Sequence, residues 1–160
     1  MELWDAYDEN LNLIQGLTLM RGEPIPQGVY HLVADVTVRH KDGSYLLMQR
    51  ALCKHNGGKW EASAGGSALQ GETPIAAAKR ELEEETGVVA NTFVEIARAV
   101  RPETHSVYVE FFCEVDCEKD SVCCRKGETM AYRWVSKEEL LRIQERGELT
   151  TKAIDYRSLS

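Results

Sequence analysis

An α+β fold, one mixed β-sheet with two helices packed on it, is what this sequence predicts. Three observations carry the prediction. Strand-like stretches outnumber helical ones, their order is irregular rather than a strict alternation of strand and helix, and no repeat, low-complexity tract or linker divides the chain. At 160 residues the chain is close to the ~150 of an average domain, so residues 1–160 read as one domain with a full hydrophobic core.

The elements follow in order. Glu2 to about Met20 reads as an N-terminal hairpin. From Tyr30, the residues Leu32, Ala34, Val36 and Val38 alternate with more polar ones, as in a strand. Lys41-Asp42-Gly43-Ser44 then supplies turn chemistry ahead of Tyr45-Leu46-Leu47-Met48, which predicts a hairpin. A helix runs from Thr73 to Thr86, with Pro74 suited to its first position and Gly87 to its stop. Ile75, Ala78 and Leu82 form its apolar stripe toward the sheet. Val94, Ile96 and Val100 suggest another strand, and Val107, Val109, Phe111, Cys113 and Val115 alternate cleanly in the next. Asp116 to Lys126 is a polar loop, and a last short strand ends near Trp134-Val135. Ser136-Lys137-Glu138-Glu139 is a capping-box pattern that opens a second helix, which passes through Leu140, Leu141 and Ile143 and stops at Gly147. The tail from Thr150 to Ser160 reads as a short helix.

Charge and composition exclude whole classes of function. Nineteen Lys and Arg against twenty-six Asp and Glu leave a net charge of −7, which disfavours nonspecific attraction to nucleic acid or an anionic membrane. If the substrate is a polyanion, something cationic must mediate. The acidic start lacks the basic and apolar segments of a secretory signal, so a soluble, cytoplasmic protein is expected. Five cysteines are an odd set, so reduced thiols are the default; no C-x-x-C pair points to zinc.

The chemistry concentrates in the first helix. Glu81, Glu83, Glu84 and Glu85 crowd its last turn, where the negative end of the helix dipole disfavours anions. Pairs such as Lys79 with Glu83 or Arg80 with Glu84 return only about 0.2 to 0.5 kcal/mol each. At about 100° per residue, Glu81, Glu84 and Glu85 share one narrow arc while Glu83 points elsewhere. Three oxygen donors on one arc are the hard ligands that Mg²⁺ or Mn²⁺ takes, and such an ion would bring positive charge to a phosphate substrate. A solvated acidic face is the competing reading.

The rest of the pattern decides between them. Gly66, Glu72, Arg80-Glu81-Leu82, Glu84-Glu85 and Gly87-Val88 stand at the spacing of a known motif, so residues 66–88 resemble the Nudix box. Membership of the Nudix superfamily implies a Nudix-type α/β/α sandwich and metal-dependent hydrolysis of a pyrophosphate bond in a nucleoside diphosphate linked to another group, or a related compound. The resemblance further implies that Glu81, Glu84 and Glu85, joined by a backbone carbonyl near Gly66, bind Mg²⁺ (or Mn²⁺). It implies that Arg80 orients the glutamates and that Glu72 supports the site from the loop. Glu81 or Glu84 is a candidate general base, and Glu103 and Glu128 are candidates outside the box. Arg50, Lys54 and Lys59 are candidate phosphate contacts, and Trp60 and Tyr108 candidate base-stacking residues. The implied partner is a small-molecule nucleotide or pyrophosphate. The many homodimers among such proteins leave a homodimer open.

Tyr30-His31-Leu32, Met48-Gln49-Arg50-Ala51 and Gly58-Lys59-Trp60 resemble the isopentenyl diphosphate isomerase branch of the superfamily, so an isomerase is the main alternative; a catalytically inactive nucleotide-binding module is another. That branch carries a catalytic cysteine beside a glycine and then a metal-binding histidine, where this chain reads Ser63-Ala64-Gly65-Gly66-Ser67. The box is complete, and hydrolysis is the better expectation. His31 matches an isomerase ligand position but lacks its partners and reads as a strand histidine. Downstream, neither Pro102 nor Tyr108 has the spacing that would fix a substrate subgroup.

Overall fold

The structure, a computed structural model of the chain, describes every residue except Thr151, Ala153 and Ser160. Strands β1 (Leu3–Tyr7) and β2 (Leu13–Met20) pair antiparallel as a separate two-stranded sheet, with Asp8 Oδ1 accepting the Asn10 and Asn12 N–H groups at their turn. Then come β3 (His31–His40), β4 (Tyr45–Arg50), β5 (Trp60–Glu61), β6 (Ala64–Ser67), helix α1 (Pro74–Thr86), β7 (Val94–Arg101), β8 (Ser106–Val115), β9 (Thr129–Val135) and helix α2 (Lys137–Glu145). The main sheet runs β5-β4-β3-β8-β7, with β6 beside β3 and β9 beside β4. It is mixed, because β3 pairs parallel with β8 and antiparallel with β4 and β6. Among the described residues no helix is long and apolar enough to cross a membrane.

Two hydrophobic clusters make the sandwich. On one face Leu32, Ala34, Val36 and Val38 of β3 pack with Val109 and Phe111 of β8 against Ala77, Ala78 and Leu82 of α1. On the other, Tyr45 and Leu47 of β4 meet Leu140 and Ile143 of α2 together with Leu149 and Tyr156 of the tail. Fully burying a leucine such as Leu82 contributes about 2 kcal/mol relative to leaving it in water. Helix α1 starts where Thr73 Oγ1 accepts the Ala76 N–H at 3.1 Å, and it stops at Gly87, whose φ of +75° is left-handed and suits a residue without Cβ. Helix α2 is capped at Ser136 as the pattern predicts. Ser136 Oγ accepts the Glu139 N–H at 3.1 Å, but the Glu139 carboxylate goes to Arg133, Arg142 and Arg146 instead of closing the box.

Several expectations need correction. Ile75 shares the angular stripe of Ala78 and Leu82 yet is exposed, because burial along α1 begins only at Ala77. The polar phase of β3 is buried as well as the apolar one, since Asp35 and Thr37 are covered from the second face. The last strand is longer than its visible end, and β5 and β6, too short to show a period, were not anticipated. In place of a helix over the tail there is a three-residue 3-10 turn, Tyr156–Ser158, whose buried Tyr156 hydroxyl donates to Ala62 O at 3.1 Å. The expected helix also takes in Thr151, Ala153 and Ser160, which lie outside the described residues.

Candidate active site

A strand, a loop and a helix end bring the glutamates to one wall of a cleft of about 730 Å³. Arg80 is its organiser. The guanidinium donates from Nε to Glu72 Oε2 at 2.8 Å and from Nη2 to Glu72 Oε1 at 2.9 Å, a two-point clamp between α1 and the preceding loop. Its Nη1 reaches Glu81 Oε1 at 2.9 Å and Glu84 Oε2 at 3.2 Å, and Nη2 also reaches Ser67 O at 3.2 Å. Glu72 in turn accepts the Leu69 N–H at 2.6 Å, so the loop is held at both ends. Glu72 is ionised more readily than usual: burial opposes its charge, but the Arg80 hydrogen bonds outweigh that.

Glu81, Glu84 and Glu85 occupy unlike surroundings. Glu81 lies so close to β6 that a Cβ on Gly66 would come within 2.5 Å of its Oε1, so any side chain there would displace the carboxylate. Glu85 is buried against it, and its carboxyl is pushed up to about 10, first by burial and then by the charges of Glu61 and Glu81. Glu84 is the outermost and is shared by Arg80 and by Arg125 Nη1 at 3.3 Å. Among the described residues no three His, Cys, Asp or Glu side chains close on one metal-sized point, so the three carboxylates share a wall without converging as their common arc suggested. The donor set nonetheless fits a hard divalent cation. It is all oxygen, it includes two carboxylates forced together in a poorly solvated position, and the glycine beside them leaves room at the β6 backbone.

Facing this wall is a second, deeper one on the sheet. Lys152 Nζ lies 2.7 Å from Glu61 Oε1 and 3.2 Å from Asp35 Oδ1, with all three side chains buried. Burial works against the charge on Lys152, but Asp35 and Glu61 outweigh it and lift its pKa well above the ordinary value. Burial likewise opposes ionisation of Glu61, but Lys152 and Arg50 hold it below the usual carboxylate range, with Arg50 Nη1 at 3.2 Å. Asp35 is pushed up by burial against the pull of Lys152. Glu110, the register partner of Asp35 on β8, is pushed up to about 8 by burial. Hydrogen-bond counting agrees. Thr37 Oγ1 lies 2.8 Å from Glu110 Oε1 and 3.1 Å from Ala62 O, and its single hydrogen serves both contacts only when Glu110 is the protonated donor.

The remaining expected residues fall on both sides of the line. Arg50, Lys54, Glu103, Tyr108 and Glu128 line the cleft, whereas Lys59 is exposed outside it and Trp60 packs beneath Arg133. Glu128 is held by Lys54; among the described residues Glu103 has no ion-pair partner. Tyr108 carries the Arg101 guanidinium 5.0 Å from its ring centre. His31 also lines the cleft, stacked on Trp4 at 4.2 Å with Nε2 2.9 Å from Ser106 Oγ and Nδ1 3.3 Å from Ser67 Oγ. All five cysteines are free thiols, and only Cys113 is fully buried. Sequence reasoning did not find Lys152, Asp35, Glu61, Glu110 or Arg101. The one available signal was that Asp35 and Glu110 interrupt strands otherwise rich in apolar residues.

Comparison with known proteins agrees with this architecture. A family model described as NUDIX domain matches residues 29–154. An uncharacterized Nudix hydrolase of Listeria monocytogenes is 34% identical over 149 residues, covering 92% of this chain and 88% of that protein. An isopentenyl-diphosphate Delta-isomerase of Streptomyces avermitilis is 35% identical over 115 residues, but these cover 68% of this chain and 56% of that protein. The crystal structure of DR0079 from Deinococcus radiodurans has the same fold, with a TM-score of 0.74 at 20% identity over 94% of this chain and 93% of that one.

Proposed function

Because the chain belongs to the Nudix family, and is by that membership a Nudix pyrophosphohydrolase, we propose that it hydrolyses the pyrophosphate bond of a nucleoside di- or triphosphate, or of a nucleoside diphosphate linked to another group. The observation that carries this reading is the pairing, across one cleft, of the Glu81, Glu84 and Glu85 wall with the cations Arg50, Lys54, Arg101 and Arg125. Carboxylates alone would repel a diphosphate, and cations alone would bind it without cleaving it.

Glu81, Glu84 and Glu85, with a backbone carbonyl near Gly66, are the residues that would hold Mg²⁺ (or Mn²⁺). When bound, that ion supplies charge neutralisation of phosphate oxygens and a more acidic water. Arg80 keeps Glu81 aimed by anchoring it to Glu72, and the arginines and Lys54 steer the phosphate chain into the cleft. A carboxylate then takes the proton of the attacking water. Glu81 and Glu84 on the α1 wall are the candidates within the box; outside it Glu103 is freer than the Lys54-bound Glu128. Arg101 on Tyr108 offers a flat cationic surface for a base.

Isomerase chemistry is disfavoured by two features. Ser63 is fully buried, donating to Leu46 O at 2.7 Å and accepting from the Val38 N–H at 3.0 Å, so it serves the fold rather than the cleft. The cleft is lined mostly by charged groups, with Val33 and Leu69 its only aliphatic side chains among the described residues, which suits a nucleotide better than a prenyl chain. Purified protein supplied with Mg²⁺ and a panel of nucleoside di- and triphosphates, dinucleotides and prenyl diphosphates tests the reading. Release of nucleotide or phosphate is expected; inactivity on every nucleotide, or isomerisation of the prenyl compound, refutes it. A cytoplasmic location and a nucleotide-sized partner belong to the same proposal.

A further inference from the structure

The inner wall has features that an ordinary structural ion pair does not need. Lys152 Nζ is within 3.2 Å of two carboxylates from different strands, Asp35 and Glu61. Asp35 Oδ2 and Glu110 Oε2 are both buried without a hydrogen-bond partner, and the two residues are side by side in the β3 to β8 register. Gly65 clears the space for this cluster, since a Cβ there would lie 1.8 Å from Asp35 Oδ1. Several carboxylate oxygens gathered about one compact positive centre, with lone pairs to spare, are what a protein offers a hard divalent ion. Here the positive centre is an ammonium.

Its delivery is specific. The Thr150 N–H donates to Trp60 O at 2.8 Å and the Trp60 N–H to Glu148 O at 2.9 Å, so the tail is laid along β5, the strand that carries Glu61. Lys152 also lines the cleft into which Glu81, Glu84 and Glu85 project. We propose that the Lys152 ammonium is a built-in cation of the cleft, occupying between Asp35 and Glu61 the position of an additional divalent ion and confining metal binding to the α1 wall. The inference rests on the proposed function only for the metal held by that wall. Within it, Lys152 is a positioning residue: it screens the inner carboxylates so that they neither capture metal nor repel the incoming phosphates.

The test counts ions rather than turnover. Mn²⁺ alone is titrated into the full chain and free Mn²⁺ is followed by electron paramagnetic resonance. Lys152→Met is expected to bind about one more Mn²⁺ per chain than wild type, Lys152→Arg the same number as wild type, and Lys152→Met with Glu61→Gln to lose the extra ion again. A folded Lys152→Met with the wild-type count overturns the proposal, as does loss of a bound ion in Glu61→Gln alone. Should Lys152→Met be unfolded in metal-free buffer, folding on addition of millimolar Mn²⁺ supports the proposal, and failure to fold there overturns it. The readout is a difference between variants. Absence of Mn²⁺ binding to wild type therefore counts against the proposed function, whereas an equal ion count in wild type and folded Lys152→Met counts against this inference.

Discussion

The two carboxylate walls of the cleft contain the same functional groups and behave in opposite ways. On α1, Glu81 and Glu84 keep 14% and 43% of their side-chain surface and are held by an arginine that shares itself among several acceptors. On the sheet, Asp35 and Glu61 keep 4% and 8% and are locked to a lysine with as little exposure. A half-open acid held by an exchangeable partner can give up that partner to a metal or a phosphate. A buried acid cannot, because its partner is what makes its burial tolerable. The lesson is that the partner, more than charge count or depth, separates the two walls: Glu85 on α1 is as buried as Glu61 but has no lysine locked between it and a second acid.

The sharpest way to break this contrast is to neutralise each wall. Glu84→Gln or Glu85→Gln should lower turnover by about 10³-fold while leaving the urea midpoint near wild type, since each change is nearly isosteric. Wild-type rates in both variants would falsify the assignment of the outer wall. Lys152→Met should show the opposite profile, with about 3 kcal/mol of stability lost in metal-free urea titration, because two buried acids lose their counter-charge. A loss under about 1 kcal/mol would place the inner wall among ordinary surface pairs.

A third experiment uses pH at the rim between the walls. Burial holds the His31 imidazole down at about 4, below the ordinary 6.5. The unfolded chain therefore takes up a proton before the folded one does. The resulting stability is fully present above about pH 6.5 and is lost as pH falls toward 4, up to about 2 kcal/mol after allowance for partial exposure. His31→Gln should flatten that limb of the pH–stability curve, and an unaltered slope would assign it to other groups. The smallest effect is expected from Arg80→Lys, which keeps the charge but cannot clamp Glu72 at two points while reaching Glu81. About a tenfold fall in kcat with little change in melting temperature is anticipated; a fall as large as that of Glu84→Gln would make Arg80 more than an organiser.

How much of this was readable from sequence follows the same division. The outer wall announces itself: Thr73, Pro74 and Gly87 bracket a helix, and acids crowded at its negative end have no local justification. The inner wall is silent. Alternation along β3 reports which residues face α1, and it says nothing of a second covering layer, so Asp35 and Thr37 look like solvent-facing positions. Glu61 lies on a two-residue strand with no period to read, and Lys152 belongs to a tail that reads as a short helix, which gives no sign that it lies along β5. Lys59 shows the converse error. Proximity in sequence to the cleft-lining Arg50 and Lys54 does not carry it into the cleft, because the turn from Cys53 to Gly58 reverses the chain before it.

One dipeptide joins the walls. Gly65 leaves room for Asp35 and Gly66 for Glu81, so adjacent residues of β6 touch the supporting acids on one side and the working acids on the other. A single methyl would displace Asp35 at the first position, where it meets Oδ1 at 1.8 Å, and Glu81 at the second, where it meets Oε1 at 2.5 Å. Anyone reshaping this enzyme for a new substrate should therefore randomise the rim around Arg101 and Tyr108 and treat Gly65-Gly66 as a hard point of the scaffold.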